Sequence, residues 1–597
     1  MAVKNRCEIE EKFKWDLSSM FVSDEAWNQT FQDVQNNLNA FDVYKGKLKD
    51  KNVLLELFKK DDEISVKIEN LYTYAKMRSD EDTSLGLYTG MFDKVQTLAV
   101  ALSSVTAWII PEISQSYSTK QLKDLSDEEA FSDYSYKLSE IARNKKIIKS
   151  EKEEKIMTEA SLMSSSFRTA FSLFDNADVE FKPIKDENGK MEEVTHGTYS
   201  AFIQSTDRRV RKAAFESMFT PYKQFGNTLA GLYSGNVKAD WFYAKQRGFS
   251  RCLDYAVYGE NVPSVIYENL IEEVHSAIKY LNKYLTVKKG ALHLRDMHWY
   301  DMYVSVAGDI DKKYTYQEAQ ELIKEAVKPL GEDYVKILSR AFEERWIDVY
   351  ENKNKRSGAY SWGTYSSNPF ILTNFNGGIH DVFTLAHELG HSMHSYFSHL
   401  SQPYAKGEYT IFVAEVASTV NETLLLKYLL GKSTDPKTRI YLLSYYLEMF
   451  RTTVFRQSMF AEFELIAHKM IENGEPATKD TLSAAYYSLN ELYYGKSIVV
   501  DDLIRYEWER IPHFYTSFYV YKYATGLLSA VYIAENILAG NEEVKTGYRK
   551  FLCAGGSMPP ADILKMAGVD LTKKKTFDYS FKRFAAAVNE LKEELKK

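Results

Sequence analysis

Three cysteines are all that 597 residues hold, and they are scattered at Cys7, Cys252 and Cys553. An odd, widely spaced set builds no disulfide framework and lacks the paired spacing of a thiolate metal site; it fits a reducing cytoplasm. Proline is scarce too, at 12 in the chain, so little interrupts helices. Basic excess is missing. The net charge is −7, and no stripe of Lys and Arg offers a footprint for nucleic acid. Apolar runs fall short of the ~20 residues that a membrane span needs. The most lipid-like one, Val95 to Ile110, lies between Lys94 and Pro111 and contains Thr97, Ser103, Ser104 and Thr106, so a buried core helix is expected there. Met1 to Asp16 is charged and has no apolar segment of the secretory kind, so no signal peptide is expected. Repeats, low-complexity tracts and long Gly/Ser/Pro linkers are also missing, which points to lobes that pack closely.

What the chain does have is helical periodicity. Apolar residues recur at spacings of three and four over Asp82 to Ile110, Ile156 to Phe174, Val265 to Leu292, Tyr316 to Leu330, Leu424 to Leu430, Pro436 to Asn473 and Ser517 to Leu538. The class is predominantly α. Two places read as strand pairs. Val179 to Ile184 and Met191 to Thr195 flank the turn Asp186-Glu187-Asn188-Gly189. Ser357 to Thr364 and Pro369 to Asn376 flank Ser366-Ser367-Asn368 and form a small β element. The second of these runs is either an edge that pairs with an extended peptide or a paired structural strand. Length alone suggests two to four lobes or domains. The favoured division falls near the first hairpin, giving an N-terminal helical lobe of residues 1–195 and a second region of residues 196–597.

Past the β element stands His387-Glu388-Leu389-Gly390-His391, in a stretch that reads as a helix capped by Asp381 and running to about Phe397. Residues four apart share a helix face, so both imidazoles can hold one ion, and Glu388 beside them can serve as the base that a metal-activated water needs. With only 11 histidines in the chain, a chance match is uncommon. Two histidines leave a catalytic zinc one protein ligand short. Glu415 lies 24 residues beyond His391, past a loop with Pro403 and Gly407 that can turn the chain back. Its neighbours Phe412, Val413, Val416 and Val420 argue for burial, and a buried carboxylate needs a partner. His394 shares the face of His387 and His391 and competes as third ligand, although three ligands from one rigid helix would have to converge over two turns. Glu422, two turns beyond Glu415, can fix the tautomer of a ligand histidine. His380 and His399 read as ordinary flanking residues. Two imidazoles, one carboxylate and an open position favour Zn²⁺, one ion per chain, and hydrolysis.

Aromatics are abundant: 43 Tyr, 33 Phe and 8 Trp. A Tyr-rich helix is usually core. Beside a zinc motif, though, the segment His513 to Gly526 offers donors for a developing oxyanion. Tyr519 and Tyr523 are four apart on the expected helix, and His513 sits in a preceding turn.

With these residues in place, the chain resembles the thimet oligopeptidase-type metallopeptidases of family M3, in particular their bacterial oligoendopeptidase F branch. The likeness also rests on Lys14-Trp15-Asp16-Leu17-Ser18-Ser19-Met20-Phe21, Val194 to Tyr199, Ser205 to Phe215, Gly358-Ala359-Tyr360-Ser361, Pro369 to Leu372 and Gly555-Gly556-Ser557-Met558-Pro559-Pro560. It implies a two-lobed helical zincin of the gluzincin type with a deep central channel. His387, His391 and Glu415 would bind zinc and Glu388 would be the base, while His513 with Tyr519 or Tyr523 would hold the oxyanion or the substrate backbone. The glycine-rich loop that the thimet branch carries between these His and Tyr positions is missing here. The implied activity is cytoplasmic, zinc-dependent cleavage of internal bonds in short unstructured peptides, with neither nucleic acid nor membrane as partner. Two rivals remain at this point. One is a zinc exopeptidase, carboxypeptidase or dipeptidase, on a related helical body. The other is a helical peptide-binding or scaffold protein with a structural zinc, which would need a fourth protein ligand.

Overall fold

The computed structural model describes residues 3–308 and 312–597. It is predominantly α, and helices Val265–Ala291 and Tyr316–Val327 lie where the apolar spacing predicts them. Side chains close several helix starts: Ser150 with Glu153, Thr195 with Thr198 and Thr315 with Glu318 form reciprocal caps over N–H groups that a first turn leaves open. The run Pro436 to Asn473 is helical throughout, but a wide π turn, Phe450–Phe455, separates Pro436–Met449 from Arg456–Glu472. At that turn the buried Arg451 guanidinium and the Lys288 ammonium each lie 2.7 Å from the Glu448 carboxylate. Burial alone would raise the Glu448 pKa; the two cations outweigh it and pull the group down to about 2.

The chain divides into two compact units. The first comprises Met1–Ile147, Asp311–Tyr428 and Ile533–Gly568; the second comprises Ile148–Ile310, Leu429–Tyr532 and Val569–Lys597. The division proposed between residues 195 and 196 falls inside the second unit. That unit packs the long helix Arg208–Gln246 against Glu151–Leu173 and Arg456–Glu472, and packs Val265–Ala291 against Lys574–Glu594. Its hairpin pairs Ile184 with Glu192 and Lys185 with Met191, and Gly189 takes the left-handed φ of +81° that the tight turn requires.

The first unit carries a three-stranded sheet in the order Ile347–Asp348, Phe370–Leu372, Tyr360–Trp362. Phe370–Leu372 is therefore the central strand, parallel to one neighbour and antiparallel to the other. The run Pro369 to Asn376 is thus a paired structural strand, and the open edge belongs to Tyr360–Trp362. The parallel partner Ile347–Asp348 went unread because two residues are too few to show alternation.

Helix Gly86–Thr106 corrects the expected buried core helix. Tyr88, Met91, Val95 and Leu98 face inward and pack on Lys51–Glu81, whereas Leu87 is 62% and Val100 70% exposed. The stretch Gly86–Ser116 is apolar and long enough to cross a membrane by length and composition, and 17% of its most apolar window is buried. It is interrupted at Ala107 and Trp108 and carries Asp93 and Lys94.

One buried acid in the second unit has no hydrogen-bond partner on either carboxylate oxygen. Glu509 packs beside Gly226 and Lys479, and burial pushes its pKa up to about 9 against the pull of Lys479. The unfolded chain releases this proton near pH ~4.3. The folded state therefore binds more protons between pH ~4.3 and about 9, and stability falls as pH rises through that window. Glu509→Gln is expected to raise the Tm at pH 8 and leave it nearly unchanged at pH 4, as read by calorimetry at both pH values. An equal effect at the two would show that the acid is solvated.

Candidate active site

The His-Glu helix spans Ile379–Ser401. Its N-cap is Gly378, not Asp381; Asp381 lies in the first turn, where its carboxylate accepts from the Gly378 N–H at 2.8 Å and the Asn376 N–H at 3.1 Å. His387 and His391 project from one face, one turn apart. The chain then turns at Pro403 through the short helix Tyr404–Gly407 and re-enters as Ile411–Lys432, which carries Glu415. The Gly555–Gly556 pair lies against this return: the Gly556 N–H donates to the Lys406 carbonyl at 2.8 Å, and a Cβ on Gly555 would sit 2.2 Å from that carbonyl oxygen.

The result is a tight donor set. His387 Nε2 and His391 Nε2 are 3.1 Å apart, and Glu415 Oε2 is 3.3 Å from the first and 3.5 Å from the second. Four ligands at ~2.0–2.1 Å around a tetrahedral cation would have edges of ~3.3 Å. The three atoms therefore fit a tetrahedral divalent ion, and they are the one His/Cys/Asp/Glu group with metal-ligand spacing among the described residues. Glu422 Oε1 lies 3.1 Å from His387 Nδ1. With Nδ1–H donating there, the Nε2 lone pair stays free for the ion. Burial opposes charge on His387, but hydrogen bonds to Glu415 and Glu422 hold its pKa well above the usual imidazole value.

Sequence reasoning passed over the residue that lets the two helices meet. A Cβ on Gly390 would stand 2.5 Å from Ser418 Cα and 2.7 Å from the Ala417 carbonyl oxygen. Backbone therefore touches backbone at Gly390, one residue before His391, against Ala417 and Ser418 within one turn of Glu415. Asn421 adds a strut: its side-chain N–H donates to the Ala386 carbonyl at 3.2 Å, and its Oδ1 accepts from the Tyr334 hydroxyl at 2.9 Å.

Glu388 is buried, and burial raises its pKa above the carboxylate norm; the His387 and His391 charges and the Ser361 backbone N–H pull it back. This contact sets the open sheet edge beside the acid. Ser361 pairs with Ile371 in the antiparallel ladder, where the N–H and C=O of a residue leave on the same side. Both Ser361 groups thus face the open edge. Ser361 Oγ and Ser392 Oγ, 2.8 Å apart, tie the strand to the helix.

His394 is fully buried and stacked on Tyr409 at 3.7 Å and Phe551 at 4.9 Å between ring centroids, with neither nitrogen hydrogen-bonded. Burial pushes its pKa down to about 3. It packs the return loop and stands outside the donor set. His399 pairs with Glu408 at 3.1 Å, and His380 is exposed.

The second unit holds the other predicted group. The Tyr523 hydroxyl lies 3.5 Å from His513 Nε2, the Tyr519 and Tyr523 rings are 5.4 Å apart, and the His513 and Tyr519 rings are 6.3 Å apart. Burial and the Arg456 charge lower the His513 pKa, so the imidazole is neutral near pH 7. The helix, however, is Tyr521–Leu538 and does not begin at Ser517. Phe518 takes a left-handed φ of +58°, which stops a helix from starting there and leaves Tyr519 in the turn.

Comparison with known proteins assigns the class. The model of peptidase family M3 matches residues 201–583, and that of oligopeptidase F matches residues 115–181. The chain belongs to peptidase family M3 and is a metallopeptidase that hydrolyses peptide bonds. Among its relatives it is 42% identical over 594 residues to oligopeptidase PepF of Bacillus subtilis, covering 99% of this chain and 89% of that one. It is 39% identical over 598 residues to the chromosomal oligoendopeptidase F of Lactococcus lactis subsp. cremoris, covering 100% and 99%. The crystal structure of oligoendopeptidase-F from Enterococcus faecium superposes with a TM-score of 0.74 at 31% identity, covering 96% of this chain and 100% of that one. A crystal structure from Chlamydophila abortus reaches 0.94 at 34%, covering 99% and 100%.

Gly390→Ala is expected to push the Glu415 helix outward and weaken metal retention by about 10-fold or more, within the range seen when supports of metal ligands are removed. Metal content after dialysis against a graded chelator reads this directly. Retention equal to the parent protein would show that the two helices can separate without disturbing the donor set.

Proposed function

We propose that this chain is a zinc-dependent endopeptidase acting on internal bonds of short, unstructured peptides. The observation that carries the reading is the spacing of His387 Nε2, His391 Nε2 and Glu415 Oε2, which match the edges of a tetrahedral site. These three would hold one Zn²⁺, which when bound polarises the scissile carbonyl and makes a nearby water more acidic. Glu388 takes the proton of the attacking water on its carboxylate and returns it to the leaving amine nitrogen. Its raised pKa suits both directions of transfer. An extended peptide adds to the open edge at Ser361, where main-chain hydrogen bonds recognise it without selecting side chains. His513, with Tyr519 or Tyr523, supplies neutral donors for the negative oxygen or the substrate backbone.

Oligopeptides as substrates suit the names of the relatives, which include oligopeptidase and oligoendopeptidase. Cys7, Cys252 and Cys553 are three free thiols, which suits a reducing cytoplasm. A net charge of −7 gives no reason to expect nucleic acid as a partner, and no membrane partner is proposed.

A quenched peptide blocked at both ends tests the endopeptidase reading, since an exopeptidase fails on it. Cleavage at internal bonds is expected, abolished by a chelator and restored by Zn²⁺. Glu388→Gln should keep stoichiometric zinc by mass spectrometry and lose about 10²–10⁴-fold in kcat. Parent-like cleavage by that variant would end the proposed chemistry.

A further inference from the structure

Phe518 is one of five non-glycine residues with positive φ among the described residues, and its φ of +58° falls one position before Tyr519. Such a conformation is unfavourable for an L-residue and persists only where the surroundings enforce it. Two helices of the second unit enforce it here. From Arg456–Glu472, the fully buried Glu464 accepts the Phe518 N–H on Oε1 at 3.0 Å, while its Oε2 has no hydrogen-bond partner. One turn further along that helix, His468 packs its ring 4.4 Å from the Phe518 ring centroid. His468 Nε2 lies 3.2 Å from Asp240 Oδ2 on Arg208–Gln246, and the same oxygen accepts the Ser517 hydroxyl at 2.6 Å. The residues on both sides of the Ser517–Phe518 peptide are thereby tied to fixed helices. Immediately beyond, the Tyr519 carbonyl accepts the Lys522 N–H at 3.2 Å, which closes the turn onto the helix that carries Tyr523.

A carboxylate in this place would be a fully buried charge with one oxygen lacking a hydrogen-bond partner. A carboxylic acid serves instead, with its carbonyl oxygen as the acceptor; burial favours this neutral form. The turn contains no glycine, so its left-handed residue is held from outside rather than permitted by its own backbone.

We propose that Glu464 is a positioning residue: by accepting the Phe518 N–H it pins the strained turn, with Ser517–Asp240 as a second tie, and so sets where Tyr519 stands relative to Tyr523 and His513. The inference rests on the reading of those tyrosines as donors in the reaction. A misplacement of such a donor by about 1 Å can cost on the order of 10²-fold in rate.

The test compares zinc-loaded, full-length variants on the doubly blocked quenched peptide. Glu464→Gln keeps a neutral acceptor for the Phe518 N–H and is expected to stay within about twofold of the parent kcat. Glu464→Leu removes the acceptor and is expected to lose about 10-fold or more in kcat, with KM changed far less and zinc content unchanged. Ser517→Ala should lose about 3-fold to 10-fold in kcat, and it decides the matter if Glu464→Leu does not fold. Parent kcat in folded Glu464→Leu, or in Ser517→Ala where the Leu variant is lost, overturns the proposal. So does a Gln variant as impaired as the Leu variant. Tyr519→Phe and Tyr523→Phe run beside them. A loss of about 10²-fold in at least one upholds the donor reading, whereas parent kcat in both overturns that reading and with it the role of Glu464.

Discussion

Everything at the metal site depends on two helices touching at Gly390. Side chains normally hold packed helices 8–10 Å apart. Here a residue without Cβ lets the Ser418 backbone approach directly, and the carboxylate of Glu415 reaches both imidazoles at 3.3 and 3.5 Å. The approach is held from several sides. Asn421 bridges to the Ala386 carbonyl, His394 and Tyr409 stack across the return loop, and the Gly555–Gly556 pair closes against Lys406 and Glu408. Each of these supports is apolar packing or a satisfied backbone hydrogen bond, which is how a rigid scaffold holds ligand atoms to fractions of an ångström.

The electrostatics follow from that geometry. Two imidazoles, His387 and His391, and two carboxylates, Glu415 and Glu422, face one another in a half-buried cluster. Glu415 is held well below the usual carboxylate range, because the hydrogen bonds and charges of His387 and His391 overcome the effect of burial. Glu388, with no hydrogen bond from either histidine, moves the other way. Neighbouring acids are thus pushed in opposite directions, which suits the ligand role proposed for Glu415 and the base role proposed for Glu388.

Much of this was legible in the residues. His387-Glu388-x-x-His391 places its own side chains by helix periodicity, and apolar neighbours at Phe412, Val413, Val416 and Val420 were enough to turn Glu415 inward. Glu422, two turns along from Glu415, proved to lie beside His387 Nδ1 at 3.1 Å. What stayed hidden were tertiary facts. Gly390 reads as a neutral spacer until its partner helix is known. The open sheet edge fell to Tyr360–Trp362 because the third strand, Ile347–Asp348, is too short to announce itself. Helix Gly86–Thr106 lies with one face in and one out, and this went unread because its polar residues give no clear stripe. The helix expected from Ser517 starts four residues late, because a buried acid distant in sequence claims the Phe518 N–H. Propensity carried no sign of that contact.

X-ray absorption at the zinc edge of the protein loaded with one equivalent of Zn²⁺ tests the centre most directly. Two imidazole nitrogens and carboxylate oxygen at ~2.0–2.2 Å, plus one exchangeable light atom, are expected. The carboxylate contribution should vanish when Glu415 is replaced by alanine. A sulfur scatterer, a third imidazole, or a shell indifferent to Glu415 would contradict the assignment.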